Sequence, residues 1–260
     1  MVELLKIGHE RYGYVSLKAE FEAEGTRIDE LLRLVEIAHK AQLTLTVKIG
    51  GCEAIRDLLE SRQFGVQFIV APMVETPYAL TKYVAAKNQV YSHDEQRDTD
   101  FLFNVETVTS FSNIDALIQI AALDNGVDGI VFGRVDYSGS VGLSREDINC
   151  ERVERDVLVV AEKCRSSLLD LVVGGGVSPE SINFLRRVEE VHLSRFETRK
   201  VVFSSVAIQE KNIEDGLLNA VHFEMLWLLN KQAYYESIGR EDLARIEMLR
   251  KRWNVSGPKV

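Results

Sequence analysis

Residues 128–142 read Asp128-Gly129-Ile130-Val131-Phe132-Gly133-Arg134-Val135-Asp136-Tyr137-Ser138-Gly139-Ser140-Val141-Gly142. An apolar, β-rich core at 129–132 gives way to glycine and then to a carboxylate, the pattern of a buried strand whose end points at Asp136. The strand candidate before it, 100–105, runs into Asn104-Val105-Glu106-Thr107 and closes on Glu106. Two successive buried strands that each end in a carboxylate predict parallel neighbours whose C-terminal ends share one site.

Working outward, short apolar runs at 14–21, 43–49, 67–73, 169–173 and 191–196 complete a set of seven strand candidates. Helical periodicity fills the gaps at 28–41, 53–61, 77–87, 113–123, 151–166 and 179–188. Thr76-Pro77 and Ser178-Pro179 place a capping residue before proline at the first helical position. Strands alternating with helices predict an α/β fold built from βα units, here a TIM-type (β/α) barrel. Such a barrel takes eight strands, and the residues before Tyr14 are too few for a βα unit of about 30 residues. The N-terminal unit is therefore expected to be abbreviated, with residues 4–7 as a short strand or with the barrel left incomplete. Residues 1–212 form the barrel domain in this reading. Residues 213–260 form a C-terminal helical extension with an apolar face (Leu217, Leu218, Val221, Met225, Leu228, Leu229) and a break at Gly239. That face predicts packing on the barrel or on a neighbouring subunit, hence a homo-oligomer formed through the C-terminal helices.

The 260 residues include 46% hydrophobic and 27% charged side chains, with four prolines and 17 glycines and no low-complexity stretch. A net charge of −9 argues against nucleic acid or an anionic membrane as partner, since neither gains counterion release from an acidic surface. No apolar run approaches the roughly 18 residues that span a bilayer, and the N-terminus lacks the apolar core of a secretory signal, so a cytoplasmic protein is expected. Cys52, Cys150 and Cys164 are odd in number, widely spaced and expected to be reduced and structural.

By position alone, Glu106 and Asp136 either cap the helices that follow or converge on a hard cation, which needs only one or two protein carboxylates. Beside Ile69-Val70-Ala71-Pro72-Met73-Val74-Glu75-Thr76 and Asn104-Val105-Glu106-Thr107, the 128–142 stretch resembles the motifs of the HpcH/HpaI aldolase and citrate lyase family, covering roughly residues 48–142. The resemblance implies a magnesium- or manganese-dependent barrel of the phosphoenolpyruvate/pyruvate superfamily, with Glu106 and Asp136 as metal ligands. It further implies cleavage or formation of a carbon–carbon bond beside a 2-keto acid or thioester, through an enolate that the metal stabilises as a Lewis acid. The substrate is then a small anionic carbonyl compound.

Two positions depart from the family pattern. Thr46-Val47-Lys48-Ile49-Gly50-Gly51 has Lys48 where the family has an arginine, exchanging a planar fork for one compact charge. Ala23-Glu24-Gly25-Thr26-Arg27 keeps Glu24 but has glycine in place of the acid–base histidine. Upstream, Leu17-Lys18-Ala19-Glu20-Phe21-Glu22 alternates with period two, predicting Leu17, Ala19 and Phe21 outward and Lys18, Glu20 and Glu22 into the barrel. Inward charges are tolerated when paired or when they bind something. Lys48, Lys18, Glu20 and Glu24 are thus the catalytic candidates. Arg134, Gly133, Val135 and Gly175 are candidate substrate contacts, Gly175 belonging to a glycine run that serves either phosphate binding or a sharp turn. His192 and Arg195 have opposite parity, so at most one faces inward. Two other readings stand beside the metal-dependent lyase: a Schiff-base aldolase using Lys18 or Lys48 with a lowered pKa, and a non-catalytic barrel that binds a metabolite or protein.

Overall fold

The computed structural model describes residues 1–256. Eight strands close into a barrel in chain order: β1 (Tyr14–Glu20), β2 (Thr44–Lys48), β3 (Phe68–Ala71), β4 (Asp100–Val105), β5 (Gly129–Gly133), β6 (Asp170–Gly174), β7 (Arg195–Glu197) and β8 (Val201–Ser204). The first seven run parallel, whereas β8 is antiparallel to both β7 and β1. Helix α1 (Val2–Tyr12) precedes the barrel, and α2 (Ile28–Lys40), α3 (Ile55–Gln63) and α4 (Pro77–Val90) follow β1, β2 and β3. Helices α5 (Val108–Ser112) and α6 (Ile114–Ala121) follow β4, α7 (Arg134–Ser140) and α8 (Glu151–Ser166) follow β5, and α9 (Ile182–Val191) follows β6. Helix α10 (Ile213–Ser256) comes last. Among the described residues no helix is long and apolar enough to cross a membrane.

Strand parity divides the core into two layers. Val70, Leu102, Val131 and Val172 meet inside the barrel, while Ile69, Phe103, Ile130, Phe132, Leu171 and Val173 face outward under the helices. On β1 the alternation follows expectation: Leu17 and Ala19 join the outer core, and the intervening Ser16, Lys18 and Glu20 are buried on the inner side. Ser16 Oγ and Thr46 Oγ1 satisfy one another at 2.8 Å in the barrel floor.

The strand that the sequence pattern lacks is at the far end of the barrel. Residues 4–7 belong to α1, where Leu5 is fully buried and Gly8 lies so close to Tyr14 that a Cβ would stand 2.0 Å from its ring. Recurrence of Val2, Leu5 and Tyr12 at helical spacing, rather than at period two, explains why this segment coils. The eighth strand is Val201–Ser204, too short to stand out by composition. Only residues 198–200 separate it from β7, and a return parallel to β7 needs a crossover of a dozen residues or more, so β8 returns antiparallel. Thr198 N donates to Val201 O at 2.9 Å to close the turn. The barrel thus lacks a helix between its last two strands, and its first βα unit is complete. Strand β7 begins at Arg195, so residues 191–194 of the predicted strand lie outside it.

The C-terminal extension is one helix of 44 residues, with no break at Gly239. Gly239 does not adopt positive φ, and a lone glycine costs a helix only about 1 kcal/mol relative to alanine. Residues 257–260 of the predicted extension lie outside the described residues.

Closure depends on aromatic contact across the hairpin. Phe203 stacks on Phe196 with centroids 4.8 Å apart and meets Tyr14 edge-on at 4.7 Å. Phe203→Ala is expected to destabilise the fold by about 3–5 kcal/mol, measured by urea unfolding.

Candidate active site

The C-terminal ends of the strands surround a cavity of about 290 Å³ lined by Lys18, Glu20, Glu22, Lys48, Asn104, Glu106, Gly133, Val135, Asp136, Arg145, Gly175, Glu197 and Arg199, among others. Each position follows from parity or from a strand end. Asn104 and Glu106 share the inward side of β4, and Asn104 Nδ2 donates to Glu106 Oε2 at 2.6 Å. The other carboxylate oxygen, Oε1, accepts from Met73 N at 2.8 Å. Met73 has φ of 53°, a left-handed backbone rarely adopted outside glycine. Here it follows β3 with its amide aimed at Glu106. Gly133 leaves the room this carboxylate needs, since a Cβ there would lie 3.2 Å from Glu106 Oε2. Gly174 does the same for Glu197, at 2.9 Å from Oε1.

The charges interlock across strands. Lys18 Nζ is hydrogen-bonded to Glu197 and lies 3.2 Å from Glu20 Oε1. Lys48 Nζ is 3.1 Å from Glu22 Oε2 and 3.5 Å from Glu106 Oε2. Burial alone would lower both lysine pKa values, but the facing carboxylates outweigh it and hold both ammonium groups above the ordinary lysine range. Burial likewise pushes the Glu20 carboxyl up, and Lys18 and Lys48 overcome that push to bring it below the usual range.

Asp136, in the first turn of α7, is exposed at the cavity rim. Among the described residues, the exposed Arg145 is the one cavity-lining cation with no ion pair. Asn104 Oδ1 is buried and accepts no hydrogen bond from the described residues.

Of the residues singled out in the sequence, the cavity gathers Lys18, Lys48, Glu20, Glu106, Asp136, Gly133, Val135 and Gly175. It does not gather Arg134 or Glu24. Arg134 is fully buried behind the wall, donating to Gly174 O at 3.1 Å, Asn149 Oδ1 at 2.5 Å and Ser181 Oγ at 3.3 Å, with its guanidinium 4.8 Å above the Phe184 ring. Burial lowers its pKa to about 10. The one-residue step from Gly133 turns its side chain away from the mouth and toward α9. Glu24 holds the β7–β8 turn instead, accepting from Arg199 Nε at 3.1 Å and from the buried Lys200.

Gly175 has φ of 81°, and a Cβ there would stand 2.7 Å from the amides of Arg134 and Val135. The glycine run therefore serves a turn packed against the start of α7. Arg195 is the inward member of its pair, over the Phe68 ring at 4.2 Å in the barrel floor, while His192 Nε2 lies 2.8 Å from Leu169 O. Glu197 escaped the sequence reading because the strand candidate stops one residue short of it. Its shared parity with Arg195 is the signal that finds it.

The model of the HpcH/HpaI aldolase/citrate lyase family matches residues 16–202, well over half of the chain and all eight strands save the ends of the first and last. The chain belongs to this family. It is accordingly a carbon–carbon lyase, with the reaction left open. An HpcH/HpaI aldolase from Desulfitobacterium hafniense DCB-2 has a similar fold at 12% identity and a TM-score of 0.60, covering 76% of this chain and 82% of that one. An HpcH/HpaI aldolase/citrate lyase family protein from Burkholderia cenocepacia J2315 matches at 15% identity and a TM-score of 0.60, covering 88% and 90%. A variant of the citrate synthase SbnG matches at 16% and 0.55, covering 76% and 81%. No curated protein matches the chain.

Within this HpcH/HpaI chain, the carboxylates facing Lys18 and Lys48 raise both lysine pKa values, the direction opposite to the one the Schiff-base alternative needs. Borohydride reduction in the presence of pyruvate is expected to leave no adduct on either residue, checked by peptide mass spectrometry. The lowered carboxyl of Glu20 contributes stability that is present above its unfolded value and lost as pH falls through its folded value. Glu20→Gln is therefore expected to flatten the acid limb of the melting-temperature profile below about pH 5, read by calorimetry.

Proposed function

We propose that the chain is a divalent-metal-dependent aldolase or lyase acting on a 2-keto acid or a related small anionic carbonyl compound. One observation carries this reading: Glu106 and Asp136 line the same cavity as Asn104, whose buried Oδ1 no described residue satisfies. Two carboxylates and an amide oxygen form an all-oxygen donor set suited to Mg²⁺ or Mn²⁺, which takes one or two protein carboxylates and leaves the remaining positions to water and substrate. Such a cation, when bound, supplies Lewis-acid polarisation of the keto acid's carbonyl.

The chain's own residues account for the rest. Asn104 and the Met73 amide fix the Glu106 carboxylate by hydrogen bonds to its two oxygens. Lys48, protonated at neutral pH, stands 3.5 Å from Glu106 and faces the carbonyl oxygen that gains negative charge as the bond breaks. In this role it takes the place of the arginine in the family pattern, with a single charge instead of a fork. Glu20 is the proton-transfer carboxylate: it lines the cavity and is ionised at neutral pH, whereas Glu24 is tied to Arg199 and Lys200 away from the cavity. Arg145 meets the substrate's carboxylate at the rim, since its charge is not taken up by a described carboxylate.

The test is exchange of pyruvate methyl protons in deuterated water, followed by NMR with and without Mn²⁺. Exchange is expected with the metal and is expected to stop with EDTA. Glu106→Gln is expected to weaken Mn²⁺ binding about tenfold or more by calorimetry. Undiminished exchange after EDTA overturns the reading.

A further inference from the structure

Among the described residues Arg134 is the largest side chain that the fold buries completely, and the function proposed above gives it no task. Its three hydrogen-bond partners, Gly174 O, Asn149 Oδ1 and Ser181 Oγ, are all neutral. Taking a cation out of water among neutral acceptors is unfavourable, and a neutral side chain would fill the same space at lower cost. What a neutral side chain cannot do is span three elements at once, as a planar five-donor fork can.

Two of those three elements carry cavity groups. Gly174 leads into Gly175, whose left-handed backbone (φ of 81°) seats it against the amides of Arg134 and Val135. Arg134 is itself the first residue of α7, so the same packing fixes the turn that presents Asp136. Asp136 is exposed, and its place is set by that turn.

Asn149 belongs to the segment that carries Arg145. This segment is braced internally: Asp147 Oδ2 accepts from Ser144 N at 3.0 Å and from Ser144 Oγ at 2.7 Å, and Cys150 N donates to Asp147 O at 2.9 Å. Ile148 is buried against Gly176, where a Cβ would stand 2.6 Å from Ile148 Cδ1. The Arg145 side chain is therefore exposed on a base that moves as one piece with Asn149. The remaining partners of Arg134, Ser181 and the Phe184 ring, belong to the start of α9 and do not line the cavity.

We infer that Arg134 is a positioning residue: from behind the cavity wall it sets Asp136 and Arg145 relative to each other, matching the cation's site to that of the substrate's carboxylate. This rests on the function proposed above, in which Asp136 holds the metal and Arg145 meets the carboxylate. The influence of Arg134 reaches Asp136 through the first turn of α7, and Arg145 through Asn149.

The test follows Mn²⁺ affinity by the EPR signal of the free ion, and pyruvate affinity by broadening of its methyl resonance on the Mn²⁺-loaded protein. Arg134→Lys keeps the charge and loses the fork, and is expected to weaken both affinities about tenfold or more. Asn149→Ala cuts the link to Arg145 alone, and is expected to weaken pyruvate about tenfold while leaving Mn²⁺ unchanged. Phe184→Leu removes the ring beside the guanidinium and none of its hydrogen bonds, so it is expected to lower Tm and leave both affinities in place. Asn149→Ala with wild-type pyruvate affinity, a folded Arg134→Lys with wild-type Mn²⁺ affinity, or Phe184→Leu as impaired as Arg134→Lys overturns the inference while the proposed function stands. A wild type that takes up neither Mn²⁺ nor pyruvate overturns that function and the inference with it.

Discussion

Charge compensation inside a low-dielectric barrel mouth is the constraint on which the site depends. A buried ion is tolerated only when its partners are held in place, because removing it from water costs several kcal/mol. Here each lysine is held by two carboxylates. Lys18 on β1 meets Glu20 on its own strand and Glu197 on β7, reaching over the top of β8. Lys48 on β2 meets Glu22 just past β1 and Glu106 past β4. Lys18–Glu197 and Lys48–Glu106 join strands that are not neighbours in the sheet, so the mouth is braced across its width as well as around its rim. Both lysines stay protonated and Glu20 stays ionised as a consequence, which favours a site built from fixed charges over one built on a free amine.

Several local oddities follow from making room for those charges. Gly133 and Gly174 end β5 and β6 without side chains because the carboxylates of Glu106 and Glu197 occupy that space. The left-handed backbone at Met73 points an amide at Glu106. Arg134 supports the same wall from behind. Its guanidinium is satisfied by Gly174 O, Asn149 and Ser181, binding the start of α7 to β6 and to the turn before α9. A cation buried among neutral acceptors gains hydrogen bonds but no countercharge, and the downward shift of its pKa to about 10 reflects that.

Period-two alternation was legible in residues 17–22 because barrel strands put alternate residues in two unlike environments, and the inward ladder of Lys18, Glu20 and Glu22 needs no tertiary information. The carboxylates at Glu106 and Asp136 were legible for the same reason, since each follows a long apolar strand. Glu197 and β8 were not. A three-residue and a four-residue strand carry too little periodicity to separate from a loop, and what makes β8 a strand is pairing with β1, almost 200 residues away in the chain. Helix α1 was obscured in a similar way, as its burial is decided by Tyr14 and α10.

What the amino-acid sequence by itself determined was the order of the first seven strands and of the main helices between them, the barrel class, the family motifs and the parity of the charged ladder, all set by local pattern and by short-range spacing. What only the tertiary structure decided was which charges face each other, that Arg134 leaves the cavity while Glu197 enters it, where the barrel closes, and that α10 runs straight past its own fold. Those depend on strand register and on contacts distant in the chain, where a shift of one residue exchanges the inside of the barrel for the outside.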